Sequence, residues 1–152
     1  AFETGFRQRL SEELDPTDTK KHPFNLNNIC HAPDSLFQII KNKNESISGI
    51  TSPWVYSGMQ FASFCWHVED LYMYSVNYMH KGAAKTWYIV PGEYKEEFDK
   101  VIKIKYGELF IKNPALMYHI VLTMNPMELV KSGVPVYRTE QKPREFIITF
   151  PK

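Results

Sequence analysis

An imidazole and a carboxylate, His67 and Glu69, flank the single residue Val68. On an extended segment side chains alternate, so the two face the same way. A neutral histidine and a carboxylate on one face are two of the three donors of a 2-His-1-carboxylate site. That donor set leaves three positions open and suits non-haem Fe(II). In isolation the pair reads sooner as a surface carboxylate beside a partly buried histidine, because such short motifs recur by chance.

The surroundings narrow the choice. Phe64-Cys65-Trp66 precedes the pair and gives it an apolar wall that limits water. Ser75 and Asn77 share a face at period two, and Lys85 lies in the aromatic, β-branched run Lys85–Pro91. A lysine in such a run is costly unless an anion pairs with it; the carboxylate of an oxo-acid cosubstrate would serve, and the alternative is a lysine that snorkels to water. Trp54 and Tyr56 share a face further upstream. Their rings suit a methylated ammonium by cation–π attraction, or ordinary core packing.

The elements that position these residues are read from periodicity and punctuation. Residues 1–28 are polar, with a short helix expected around Arg7–Leu14 and turns at Asn25, Asn27 and Asn28. Ser35–Ile40 reads as a short helical turn or strand, and Lys41–Ser46 as a loop. From Ile50, aromatic and β-branched runs broken by Gly58, Gly82 and Pro91 predict strands over Trp54–Trp66, Leu71–His80 and Lys85–Pro91. Phe98, Val101, Ile102 and Lys105 at i, i+3, i+4 and i+7 predict an amphipathic helix over Glu93–Tyr106. A second helix is expected over Pro114–Thr123. A third is announced by Asn125-Pro126 and stopped by Gly133. Glu145–Phe150 closes as a strand. Short strands with inserted helices make a mainly β domain.

The 152 residues suit one domain, and a net charge of +1 leaves no basic footprint for nucleic acid or a charged membrane surface. No apolar run is long enough for a membrane span. Two cysteines, Cys30 and Cys65, without a CxxC pair make a structural zinc site improbable and fit a reducing compartment. Ala1, and a strand-like run directly before Lys152, read as a piece cut from a longer chain.

Gly58-Met-Gln-Phe-Ala-Ser-Phe-Cys-Trp-His-Val-Glu-Asp70 resembles the iron-binding segment of JmjC domains, and Tyr74-Ser-Val-Asn-Tyr-Met-His-Lys-Gly-Ala-Ala-Lys-Thr-Trp-Tyr88 its continuation. Asn25-Leu-Asn-Asn28, Asn125-Pro126, Ser132-Gly-Val-Pro135 and Glu145-Phe-Ile-Ile-Thr-Phe-Pro151 match further landmarks in order. The similarity covers nearly the whole chain and is nearest to histone lysine demethylases of the Jumonji/ARID type. Their usual substrate is di- or trimethylated lysine at position four of histone three.

The resemblance implies a double-stranded β-helix, a cupin-like jelly roll, incomplete at the C-terminus. A 1–48 extension would lead into a partial catalytic domain over 49–152. His67 and Glu69 would ligate Fe(II). Lys85 and Asn77 would hold 2-oxoglutarate with Ser75 nearby, Phe64 would pack on it and Trp87 would line its pocket. Gly49, Trp54 and Tyr56 would border the methyl-lysine channel. With dioxygen as the second cosubstrate, the methyl group would leave as formaldehyde. A methylated histone tail would be the partner and the nucleus the location. The family's third iron-binding histidine follows the closing strand, so it is expected beyond Lys152; His22, His31, His80 and His119 do not occupy its place. The family tyrosine that helps hold 2-oxoglutarate would lie upstream of Ala1. Little turnover is therefore expected of these residues by themselves. A silent JmjC chromatin-binding module and a protein hydroxylase are the alternatives.

Overall fold

The computed structural model describes residues 22–40, 46–113 and 122–151. The described residues fall into two compact units, one ending at Phe61 and the other beginning at Ala62. The helix expected at Arg7–Leu14 and most of the one at Pro114–Thr123 lie outside the described residues, as does most of the Lys41–Ser46 loop.

In the first unit, α1 (Leu26–Ile29) is capped by Asn25, whose side chain accepts from the Asn27 amide at 3.0 Å. The asparagine turn signal thus becomes a one-turn helix, because the side-chain oxygen satisfies an otherwise orphaned donor. The Ser35–Ile40 alternative resolves to helix, α2 (Phe37–Ile40), with the Ser35 hydroxyl accepting from the Phe37 amide at 3.2 Å. Trp54–Met59 forms no ladder. The only bridge among the described residues of this unit joins Ser48 and Ser52. The strand expected over Trp54–Trp66 is therefore corrected to irregular chain: its aromatic residues have strand propensity but no partner strand among the described residues, and propensity without pairing does not make a sheet.

The second unit holds two antiparallel pairs. β1 (Ser75–Tyr78) pairs with β4 (Phe146–Thr149), with Ser75 opposite Thr149 and Asn77 opposite Ile147. β2 (Lys85–Ile89) pairs with β3 (Tyr137–Gln141), with Lys85 opposite Gln141 and Trp87 opposite Thr139. β3 was not expected from the sequence. Between β2 and β3 lies α3 (Lys95–Lys112), which continues past Tyr106 through irregular dihedrals at that residue. The extension is held because Phe110, like Phe98, Val101 and Tyr106, packs on the core formed by Ile102, Leu122, Met124, Leu129 and Val134.

α4 (Pro126–Lys131) has the termini its sequence announces. The Asn125 side chain accepts from the Met127 amide at 2.9 Å, with Pro126 at the first helical position. At the other end Gly133 takes φ +86° and Val134 donates back to the Leu129 carbonyl at 3.0 Å. Leu129 and Val134 are both fully buried, so this C-cap also closes the core.

Candidate metal and oxo-acid site

His67 follows Trp66, and that tryptophan fixes the segment. Its amide donates to the Leu122 carbonyl at 3.1 Å and its indole N–H to the Met124 carbonyl at 3.0 Å. Its ring meets Phe98 edge-on at 5.6 Å. With Trp66 packed against the core, His67 beside it is exposed.

His67 Nδ1 lies 2.8 Å from the Cys65 carbonyl. A carbonyl only accepts, so Nδ1 donates, and in the neutral ring Nε2 is the nitrogen left with a lone pair. Nε2 is 3.9 Å from Glu69 Oε1, and both side chains are partly exposed. Two bonds of about 2.1 Å each would span that gap. Imidazole with its second nitrogen tied to a carbonyl, beside a carboxylate, is the donor chemistry a divalent first-row ion requires. Among the described residues no third histidine, cysteine or acid joins the pair to make a three-donor cluster.

Beyond Glu69 the chain makes a tight 3-10 turn, Asp70–Tyr72, in which Leu71 and Tyr72 both hold left-handed dihedrals, φ +54° and +53°. Neither residue is of the kind that adopts this region without cost.

Phe64, at the start of the same segment, lies under Lys85. The Lys85 ammonium sits 5.3 Å from the Phe64 ring centre and 5.8 Å from that of Trp87. No carboxylate of the described residues pairs with this half-buried cation. Trp87 is set by its own indole N–H, which donates to Gln141 Oε1 at 2.9 Å. Ser75 and Thr149 share a hydroxyl hydrogen bond of 2.6 Å across β1 and β4. The Asn77 carbonyl accepts from Gln141 Nε2 at 2.9 Å. The structure therefore brings together Phe64, Lys85 and Trp87 directly, and ties them to Asn77 through Gln141, a residue the sequence reading missed. A glutamine next to Lys142-Pro143 reads as solvent-facing; the only signal was its place one residue beyond Glu140 in an otherwise polar run.

The residues expected at a methyl-lysine channel lie in the first unit. Trp54 donates its indole N–H to Ser48 Oγ at 2.6 Å and meets Tyr56 edge-on, ring centres 6.0 Å apart. Both rings are more than half exposed. Gly49 has φ +80°, and a Cβ there would stand 3.1 Å from Trp54 Cε2. Gly49 therefore meets two requirements that only glycine satisfies, a left-handed backbone and a closely approaching indole.

The family described as JmjC domain, hydroxylase, matches residues 54–152. The chain belongs to the JmjC family. Its fold class is accordingly mainly β with inserted helices, a cupin-like jelly roll, to which the pairs β1–β4 and β2–β3 belong. Among curated relatives, Lysine-specific demethylase JMJ17 of Arabidopsis thaliana is 45% identical over 130 residues, 86% of this chain and 10% of that protein. Lysine-specific demethylase 5B of Gallus gallus is 46% identical over 129 residues, 85% of this chain and 8% of that protein. Lysine-specific demethylase 5D of Homo sapiens is 40% identical over 151 residues, 99% of this chain and 10% of that protein. This JmjC chain thus spans about a tenth of the length of the relatives it matches.

Proposed function

We infer that this JmjC chain is part of an Fe(II)- and 2-oxoglutarate-dependent oxidative demethylase acting on methylated histone lysine, with 49–152 as its share of the catalytic domain. The observation that carries this reading is the geometry of His67: its Nδ1 proton is committed to the Cys65 carbonyl and its Nε2 lone pair lies 3.9 Å from Glu69 Oε1. The demethylase names of relatives at 40–46% identity support it.

In this reading His67 and Glu69 would hold the iron together with a further histidine. Bound iron supplies dioxygen activation and the oxidation of an N-methyl group that ends in release of formaldehyde. The residues of this chain do the rest. Lys85 would pair with a carboxylate of 2-oxoglutarate, which would answer the cost of a half-buried ammonium that has no acidic partner among the described residues. Asn77 and Ser75 hydrogen bond to the cosubstrate. Phe64 and Trp87 wall it from water, which strengthens the ion pair inside. Trp54 and Tyr56 offer ring faces to the methylated ammonium, and Gly49 keeps the Trp54 ring close to the backbone. The histone tail is the partner and the nucleus the place of action.

The test is a matched pair of assays on these 152 residues and on the longer protein. Each is incubated with Fe(II), 2-oxoglutarate and a panel of methylated histone peptides, with formaldehyde and peptide mass as readouts. Turnover by the longer protein, lost in His67→Ala, with little from the 152 residues alone, is expected, and the panel names the lysine. Peptide binding without turnover would replace this reading with a silent chromatin-binding module. Oxidation of a non-histone polypeptide without loss of methyl would replace it with a hydroxylase.

A further inference from the structure

Gln141 is the one polar side chain among the described residues with no exposure at all. Burying a primary amide is unfavourable unless its donors and acceptor are matched. Here they are. Oε1 accepts from the Trp87 indole at 2.9 Å, and Nε2 donates to the carbonyls of Asn77 at 2.9 Å and Glu145 at 3.1 Å. The amide orientation is unambiguous, since carbonyls only accept and an indole N–H only donates.

These three bonds reach different elements. Trp87 is on β2, Asn77 on β1, and Glu145 begins the return into β4. Gln141 itself ends β3, directly opposite Lys85 in the ladder. The two strand pairs share no ladder with each other, so this side chain provides a hydrogen-bonded link from one to the other. The residues it fixes are those proposed to surround the oxo-acid: Trp87, whose ring faces the Lys85 ammonium at 5.8 Å, and the backbone of Asn77. A side chain chosen only to fill space at that point would be apolar; an amide that answers three specific partners fixes their relative positions as well.

We propose that Gln141 is a positioning residue for the oxo-acid subsite, holding the Trp87 ring of β2 and the Asn77 backbone of β1 in the arrangement that receives 2-oxoglutarate. It touches no reacting atom. The inference rests on the cosubstrate reading given above and adds the residue on which that subsite's geometry depends.

The experiment measures 2-oxoglutarate affinity directly, by calorimetry on the full-length protein with Fe(II) under nitrogen, for wild type, Gln141→Leu, Trp87→Phe and the double variant. Trp87→Phe keeps an aromatic face for Lys85 and removes the N–H together with the five-membered ring that carries it, so it tests the link in a protein whose Gln141–Asn77 bond remains. The expected result is a Kd for 2-oxoglutarate raised about tenfold in Gln141→Leu and about threefold in Trp87→Phe. The double variant should resemble Gln141→Leu rather than the product of the two, and methyl-peptide affinity should be unchanged. Where the single leucine variant fails to fold, Trp87→Phe decides: a Kd unchanged from wild type overturns the proposal. A lowered melting temperature with unchanged Kd in Gln141→Leu also overturns it, since that is a structural role alone. A wild type that does not bind 2-oxoglutarate removes the cosubstrate reading itself, and this inference with it.

Discussion

Lys85 and His67 belong to the same compact unit and are held in opposite ways. Lys85 stands on a five-residue strand whose every residue has an antiparallel partner, with Gln141 opposite it. His67 and Glu69 stand on chain that joins no ladder among the described residues. They depend on one tryptophan for their anchorage and run directly into a left-handed turn at Leu71 and Tyr72. A ladder spreads positional control over many hydrogen bonds, so no single side chain carries it. An irregular segment is placed by few contacts, and removal of one of them propagates to the donors. Under the proposed function the unequal construction would suit unequal tasks: an oxo-acid carboxylate would need a fixed counter-charge, whereas donors to an ion would adjust by tenths of an ångström as it binds.

The contrast can be broken first at Trp66. Trp66→Ala removes a partly buried indole, its bond to the Met124 carbonyl and its contact with Phe98. A loss of about 3–5 kcal/mol in denaturant unfolding is expected, with metal affinity falling alongside. If metal affinity survives intact in the folded fraction, the anchoring role assigned to Trp66 is wrong. At the ladder, Thr149→Val deletes the hydroxyl partner of Ser75 while keeping the β-branched shape. Its cost should be about 1 kcal/mol, with β1 and β4 still paired by amide exchange protection; loss of that protection would show that the ladder is not self-sufficient.

How far the sequence foresaw this contrast depends on the element. The cap and stop of α4 were legible because Asn125-Pro126 and Gly133 act locally, through a side-chain oxygen and a positive φ. His67 and Glu69, two residues apart, do stand near each other, 3.9 Å between Nε2 and Oε1, although the chain carrying them is not a strand. β3 was not: Tyr137, Arg138, Thr139 and Glu140 are all exposed and only Gln141 is buried, so no apolar alternation marks the strand, and its existence comes from pairing with β2. The reverse error fell on Trp54–Trp66, where aromatic content predicts strand but no partner strand is found among the described residues. Gln141 escaped for the same reason as β3, since burial of an amide is decided by three distant partners that a one-dimensional pattern does not display.

The smaller effects sharpen the same comparison. Leu71→Gly relieves a left-handed residue beside Glu69, and a gain of up to about 1 kcal/mol in unfolding free energy is expected. A loss instead would mean that Leu71 contributes packing worth more than its dihedral costs. Smallest of all is the exposed ion pair of Lys105 on α3 with Glu128 on α4. The hydrogen bond to Glu128 raises the Lys105 pKa above its ordinary value. A raised lysine pKa means the contribution is complete below the unfolded-state value and fades only as pH rises through the folded one. Glu128→Gln should therefore shift the melting temperature slightly at neutral pH and low salt, and not at all in strong alkali or high salt. A large salt-independent shift would contradict the assignment.

The three tryptophans of this sequence have each committed an indole proton to a different acceptor: Trp54 to a serine hydroxyl, Trp66 to a backbone carbonyl, Trp87 to an amide without exposure. The molecule thereby carries one native magnetic-resonance probe in the aromatic pair, one beside His67 and one in the strand pairs. Solvent exchange should be fastest at Trp54, a residue 57% exposed, and slowest at Trp87. Titrating iron, oxo-acid or peptide against those three resonances would report, without any label, which region each ligand reaches and in what order.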